Sequence, residues 1–164
     1  MARHNPICSI MDQPLPSITY QLRLSFRPCY KDITHAYNMI NKHIFDNVLH
    51  RPKIEQGIRR NTWGFCMWED LTDPNTGSSC KIFISDKWFC PQWFMQTLAH
   101  EMVHQYQWDH GRQERLRVGL RRELCGDHGP SFFEWRDKFA YYGLDLKTAH
   151  GRRRWFKHQD FSKC

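Results

Sequence analysis

Between residues 91 and 108 the chain carries no Lys or Arg and a single acid, Glu101, although 25% of the whole sequence is charged. The stretch opens Pro91-Gln92-Trp93-Phe94-Met95-Gln96-Thr97-Leu98-Ala99. Its apolar spacing predicts a helix, with Pro91 suited to the first helical position. At about 100° per residue, Phe94, Met95, Leu98, Ala99, Met102, Val103 and Tyr106 fill one half of the helical wheel. The opposite half of a surface helix carries Lys, Arg and Glu. Here it carries Trp93, Thr97, His100, His104, Gln107 and Trp108. So few charges predict a helix covered on both sides, with the rest of the chain wrapped around it.

Two imidazoles on such a helix need partners, because burying a polar group without one is costly. His100-Glu101-Met102-Val103-His104 places the two rings four residues apart, on one face and one turn from each other. A divalent metal satisfies both rings at once, and Glu101 lies close enough to take a proton from a water that the metal activates. This is the H-E-x-x-H arrangement of zinc peptidases. A catalytic zinc takes a third protein ligand and keeps one position open. His110 has the metzincin spacing, but Gln107 stands where that pattern needs Gly, and no Met follows for a Met-turn. Glu123 follows Arg121-Arg122, as a surface-paired acid would. His128, in Gly126-Asp127-His128-Gly129-Pro130, is favoured: flanking glycines allow close backbone approach, and Pro130 starts a helix that orients the ring. Cys125 with His128 is the other pairing, a C-x-x-H half-site with no second half in the sequence.

A chain of 164 residues with 15% aromatics is long enough for one packed domain without staples. Seven Cys, none in a C-x-x-C pair, predict free thiols in a reducing compartment rather than a disulfide framework. Residues 1–16 show no apolar signal core and no stretch approaches membrane-spanning length, so a cytoplasmic site is expected, in the host if the source is viral. Charge is uneven. Residues 1–110 hold 11 Lys and Arg against 10 Asp and Glu, whereas residues 111–164 hold 13 against 7. A basic back end steers a protein to nucleic acid or an acidic partner, and is also compatible with a plain soluble surface.

Along the chain, residues 1–27 read as an arm in which Ile18, Tyr20, Leu22, Leu24 and Phe26 alternate with polar residues. A helix is expected over 31–49 with Ile33, Ala36, Tyr37, Ile40, Ile44 and Val48 on its apolar face, then strands over 53–56, 62–68 and 81–85. Asp73-Pro74-Asn75-Thr76-Gly77 predicts a turn in a long hairpin loop, and the sheet is expected to be antiparallel. The metal-binding helix ends before Gly111, an arginine-rich connection fills 112–126, and a last helix over 130–142 is capped by Gly143. Arg152-Arg153-Arg154-Trp155-Phe156-Lys157 then offers cations and rings suited to phosphates and bases.

The H-E-x-x-H helix, followed by His128-Gly129-Pro130 with Phe132-Phe133, resembles the SprT-like (Spartan-type) zinc metalloprotease domain of the zincin superfamily. Asn41-Lys42-His43-Ile44-Phe45-Asp46-Asn47-Val48-Leu49, Thr62-Trp63-Gly64-Phe65-Cys66 and Lys81-Ile82-Phe83-Ile84-Ser85 fall in that family's order, over roughly residues 30–142. The resemblance implies a zinc peptidase with His100, His104 and His128 on one zinc ion and Glu101 as catalytic base. Cellular members of the family cut proteins crosslinked to DNA. Many bacterial members end in a zinc ribbon of paired cysteines, whereas the tail here has only Cys164.

The expected fold is therefore α+β: a zincin-like single domain with a small antiparallel sheet packed on a central zinc-binding helix and two or three flanking helices. The expected division is an arm over 1–27, the metalloprotease domain over 28–149 and a basic tail over 150–164. The expected substrate is protein, no membrane partner is expected, and DNA or another nucleic acid is a possible partner through Arg152, Arg153, Arg154, Trp155 and Lys157. The alternative is a nucleic-acid-binding protein in which zinc only holds the fold.

Overall fold

A computed structural model describes residues 26–59, 62–69, 73–111 and 128–148. Most of the N-terminal arm, the arginine-rich connection with Glu123 and Cys125, and the basic tail with Arg152, Arg153, Arg154, Trp155 and Lys157 lie outside the described residues.

Helix α1, Tyr30–Ile44, starts where the Asp32 carboxylate accepts the Cys29 backbone N–H at 2.7 Å, a first-turn acid satisfying an exposed helix donor. It buries Ile33, Ala36, Tyr37, Ile40 and Ile44, as their spacing predicts. The helix stops short of the expected residue 49. Asp46 and Asn47 take left-handed backbone (φ 54° and 61°), a conformation that Asp and Asn tolerate better than other side chains. The Asn41 amide then holds the departing chain through the carbonyl (2.9 Å) and N–H (3.2 Å) of Leu49. Val48, expected on the apolar face, is left exposed.

Three strands follow: β1, Lys53–Gly57; β2, Gly64–Trp68; and β3, Cys80–Ser85. Their order is β1-β3-β2. β2 and β3 form the expected antiparallel hairpin, but β1 runs parallel to β3, so the sheet is mixed and not antiparallel. The reason is that β3 lies between the other two. Ile82, Phe83 and Ile84 are all buried and suit a strand covered on both faces, whereas Lys53, Glu55 and Gln56 suit an edge. β1 ends and β2 begins beside the same end of β3, Gly57 opposite Ser85 and Gly64 opposite Ile84. The intervening chain has only to cross two strand spacings, about 10 Å. Of the alternating arm, Phe26 is described, and it makes a two-bond bridge with Trp88 (3.0 and 2.8 Å).

Helix α2, Pro91–Tyr106, is buried without a break from Trp93 to Gln105, as its lack of charge predicts. It lies against β2 and β3 on one side and α1 on another. It runs on into a π-helical turn, Gln107–Gly111. The single last helix expected over 130–142 is instead two short ones, α3, Pro130–Phe133, and α4, Arg136–Tyr141. Gly143 closes α4 with φ 74°, its N–H reaching the Ala140 carbonyl while the Leu144 N–H reaches Phe139, both at 3.0 Å. Among the described residues, Cys29, Cys66, Cys80 and Cys90 are free thiols, and no helix is long and apolar enough to cross a membrane.

Candidate metal centre

His100 and His104 sit one turn apart on α2, both buried. His128, immediately before the cap of α3, brings its ring to the same point. The His104 Nε2 lies 3.2 Å from the Nε2 atoms of His100 and His128, which are themselves 3.1 Å apart. Two nitrogens bound to one tetrahedral zinc at 2.0–2.1 Å stand roughly 3.3–3.4 Å apart. The spacing of all three pairs is therefore close to that of ligands on a single ion.

The other ring nitrogens explain why His100 and His104 turn lone pairs toward this point. His100 Nδ1 meets the Lys147 carbonyl at 2.9 Å, and His104 Nδ1 meets the Gln107 Oε1 at 2.9 Å. Both partners only accept, so each ring carries its proton on Nδ1 and turns a lone pair inward from Nε2. Lone pairs so close repel unless a cation lies between them, and the donor set therefore fits a metal. Three imidazoles are the ligand type that suits zinc and related transition metals.

Phe132 lies beneath all three rings, its centroid 4.8, 5.0 and 4.6 Å from those of His100, His104 and His128, and is fully buried. Glu101 is buried against β2. Its carboxyl is pushed up to about 8 by burial, with the Cys66 backbone N–H, which donates to it, pulling the other way. The Cys66 thiol beside it is itself pushed well up by its hydrogen bond with Cys80 and by burial, and stays neutral. The strand can come this close because residue 64 is Gly. A Cβ there would stand 2.9 Å from Thr97 Cγ2 and 3.2 Å from both Cγ and Oε1 of Glu101. Gly64→Ala is therefore expected to cost about 1–3 kcal/mol, the usual effect of overpacking against a stiff β-branched side chain. A melting curve checks this, and a variant as stable as wild type would mean that strand and helix are not in contact here.

Of the candidates for a third ligand, His128 is at the centre and His110 is not, while Glu123 lies outside the described residues. His110 is turned to the Val48 carbonyl (3.2 Å) and packs on Tyr106, because the π turn carries it to the α1 side of α2. Gln107, Phe132, Gly64 and the Lys147 carbonyl were not singled out from the sequence as parts of this site. Gln107 is the most legible of them: the residue that breaks the metzincin pattern is an amide acceptor one turn from His104.

The chain matches the SprT-like family model over residues 33–150. No curated protein and no solved structure matches it.

Proposed function

Because the chain belongs to the SprT-like family, we propose that it is a zinc metallopeptidase in which His100, His104 and His128 hold the ion and Glu101 is the general base. The observation that carries this reading is the convergence of the three Nε2 atoms within 3.2 Å of one another, two of them on the helix that bears the buried Glu101 carboxyl. A zinc ion held there supplies a Lewis acid that polarises a carbonyl and brings the pKa of a water down to about 7. Glu101 would take a proton from the attacking water and pass it to the departing amine. A carboxyl held up by burial suits both halves of this task, since a shuttle works best with a pKa near the working pH. Phe132 and the buried face of α2 keep bulk water from the inner side of the rings, so that the proton passes between Glu101 and the substrate.

The excess of cations over residues 111–164 supports proteins associated with nucleic acid as the substrate class, with Arg152, Arg153, Arg154, Trp155 and Lys157 as the contacts.

The test is metal content together with cleavage of an unfolded protein such as casein. Wild type is expected to hold one zinc per chain, to lose cleavage on chelation and to regain it with zinc. His128→Ala is expected to lose the ion or bind it far more weakly. A variant that retains stoichiometric zinc with undiminished affinity would remove His128 from the ligand set.

A further inference from the structure

We propose that Gln107 is a positioning residue that sets the tautomer of His104 and, through Ser131, ties together the two chain segments that deliver the metal ligands. This rests on the metal-centre reading above and concerns how that centre is preassembled.

Gln107 is the first residue of the π turn and is 3% exposed. Lying three residues after His104, it stands about one turn along the same face, and its amide reaches back to the ring. Oε1 accepts from His104 Nδ1 at 2.9 Å, while Nε2 donates to Ser131 Oγ at 3.0 Å. An amide has one accepting end and one donating end, so its orientation decides the ring chemistry. With Oε1 on the ring, the proton of His104 stays on Nδ1 and Nε2 keeps the lone pair a metal needs. Turned over, the amide would present N–H groups to Nδ1, favour the proton on Nε2 and remove a ligand from the centre.

The Ser131 bond has a second consequence. Residues 100–104 and 128 are distant in the chain, and α3, which follows His128, is the four-residue helix Pro130–Phe133. Four residues cannot hold a helix by their own hydrogen bonds. Phe132 packs α3 under the imidazoles, and the Gln107–Ser131 bond adds a directional tether to the helix that bears His104. The π turn is fixed from its other side. Asp109 accepts from Ser78 Oγ (2.9 Å), from Ser79 N–H (3.0 Å) and Oγ (2.7 Å), and from Gln105 Nε2 (2.9 Å). The turn that carries Gln107 is thus anchored by contacts that do not involve the imidazoles.

The measurement is zinc affinity of the full chain by competition with a chromophoric chelator, with cobalt absorption spectra and metal-free melting curves alongside. Gln107→Met, which keeps the length and loses both bonds, is expected to bind zinc about 10–100-fold more weakly, the usual effect of removing such a support. Gln107→Glu keeps an acceptor for Nδ1–H and can accept from the Ser131 hydroxyl, so it is expected to bind within about threefold of wild type or more tightly. Ser131→Ala cuts only the tether, and its affinity should fall between those of wild type and Gln107→Met. The cobalt spectrum of Gln107→Met should differ from that of wild type, which a merely structural contact would not produce. Zinc affinity within about threefold of wild type in Gln107→Met overturns the proposal. So does a Gln107→Glu variant as weak as Gln107→Met. If Gln107→Met does not fold, the ranking of Gln107→Glu and Ser131→Ala against wild type decides. Failure of the peptidase reading looks different: zinc affinities would follow this order while the wild type cleaved no peptide bond.

Discussion

Glu101→Gln is expected to reduce peptide cleavage by roughly 10²–10⁴-fold, the range over which a general base contributes, while zinc stays bound. Gln matches Glu in shape, and its Oε1 can still accept the Cys66 N–H that reaches the carboxyl. What it lacks is the ability to take and return a proton. The fold should not suffer, because the substitution removes an ionisable group that is 5% exposed and replaces it with a neutral one. The metal should not be disturbed either, since the proposed ligand nitrogens belong to His100, His104 and His128, with Lys147 and Gln107 supporting the first two. Parallel assays of zinc content, melting and casein cleavage check all three expectations. Cleavage within a few-fold of wild type in a zinc-replete variant would show that another group moves the proton. An inactive wild type that binds nucleic acid and zinc would favour the alternative in which the ion is structural.

Phe132→Ala is expected to have the largest effect on stability, about 3–5 kcal/mol. The ring is fully buried and touches all three imidazoles as well as Phe133, whose ring centroid is 5.2 Å away. Removing it opens a void on the inner side of the centre. The rings above can fill that void only by abandoning the Nδ1 hydrogen bonds that aim them. In a domain of this size the loss corresponds to a fall in melting temperature on the order of 10 °C. Zinc affinity should fall with it, because α3 would be held by fewer contacts. A melting temperature within about 1 °C of wild type would mean that the ring is not the floor of the site.

The helix that carries His100 and His104 could be read from residues 91–108 because its evidence is local. Period, spacing and missing charge all fall within a few turns, and burial from Trp93 to Gln105 follows from them. His128 could be favoured for a related reason, since a His between glycines and before Pro130 is a local sign of a ring placed for a purpose. Pairing information is not local. The three strands were found near their observed positions, but alternation within a strand says which side chains share a face, not which neighbour the strand takes. β1 was therefore placed in an antiparallel sheet when its partner is β3 in parallel. The end of α1 was misplaced because Val48 continues the helical period, whereas the left-handed backbone at Asp46 and Asn47 is held by Asn41 across the turn.

The sequence by itself determined the chemistry on offer: two imidazoles and a carboxyl on one uncharged helix, a third imidazole in a glycine-flanked turn, and an aromatic segment behind it. Tertiary structure alone decided how that chemistry is aimed. Phe132 lies beneath three rings, Gln107 reaches from His104 to Ser131, the Lys147 carbonyl fixes His100, and Gly64 lets β2 meet Glu101. Each of these contacts depends on a distance between segments remote in the chain. Such distances are set by how all the packed surfaces close together, which no single stretch of residues encodes.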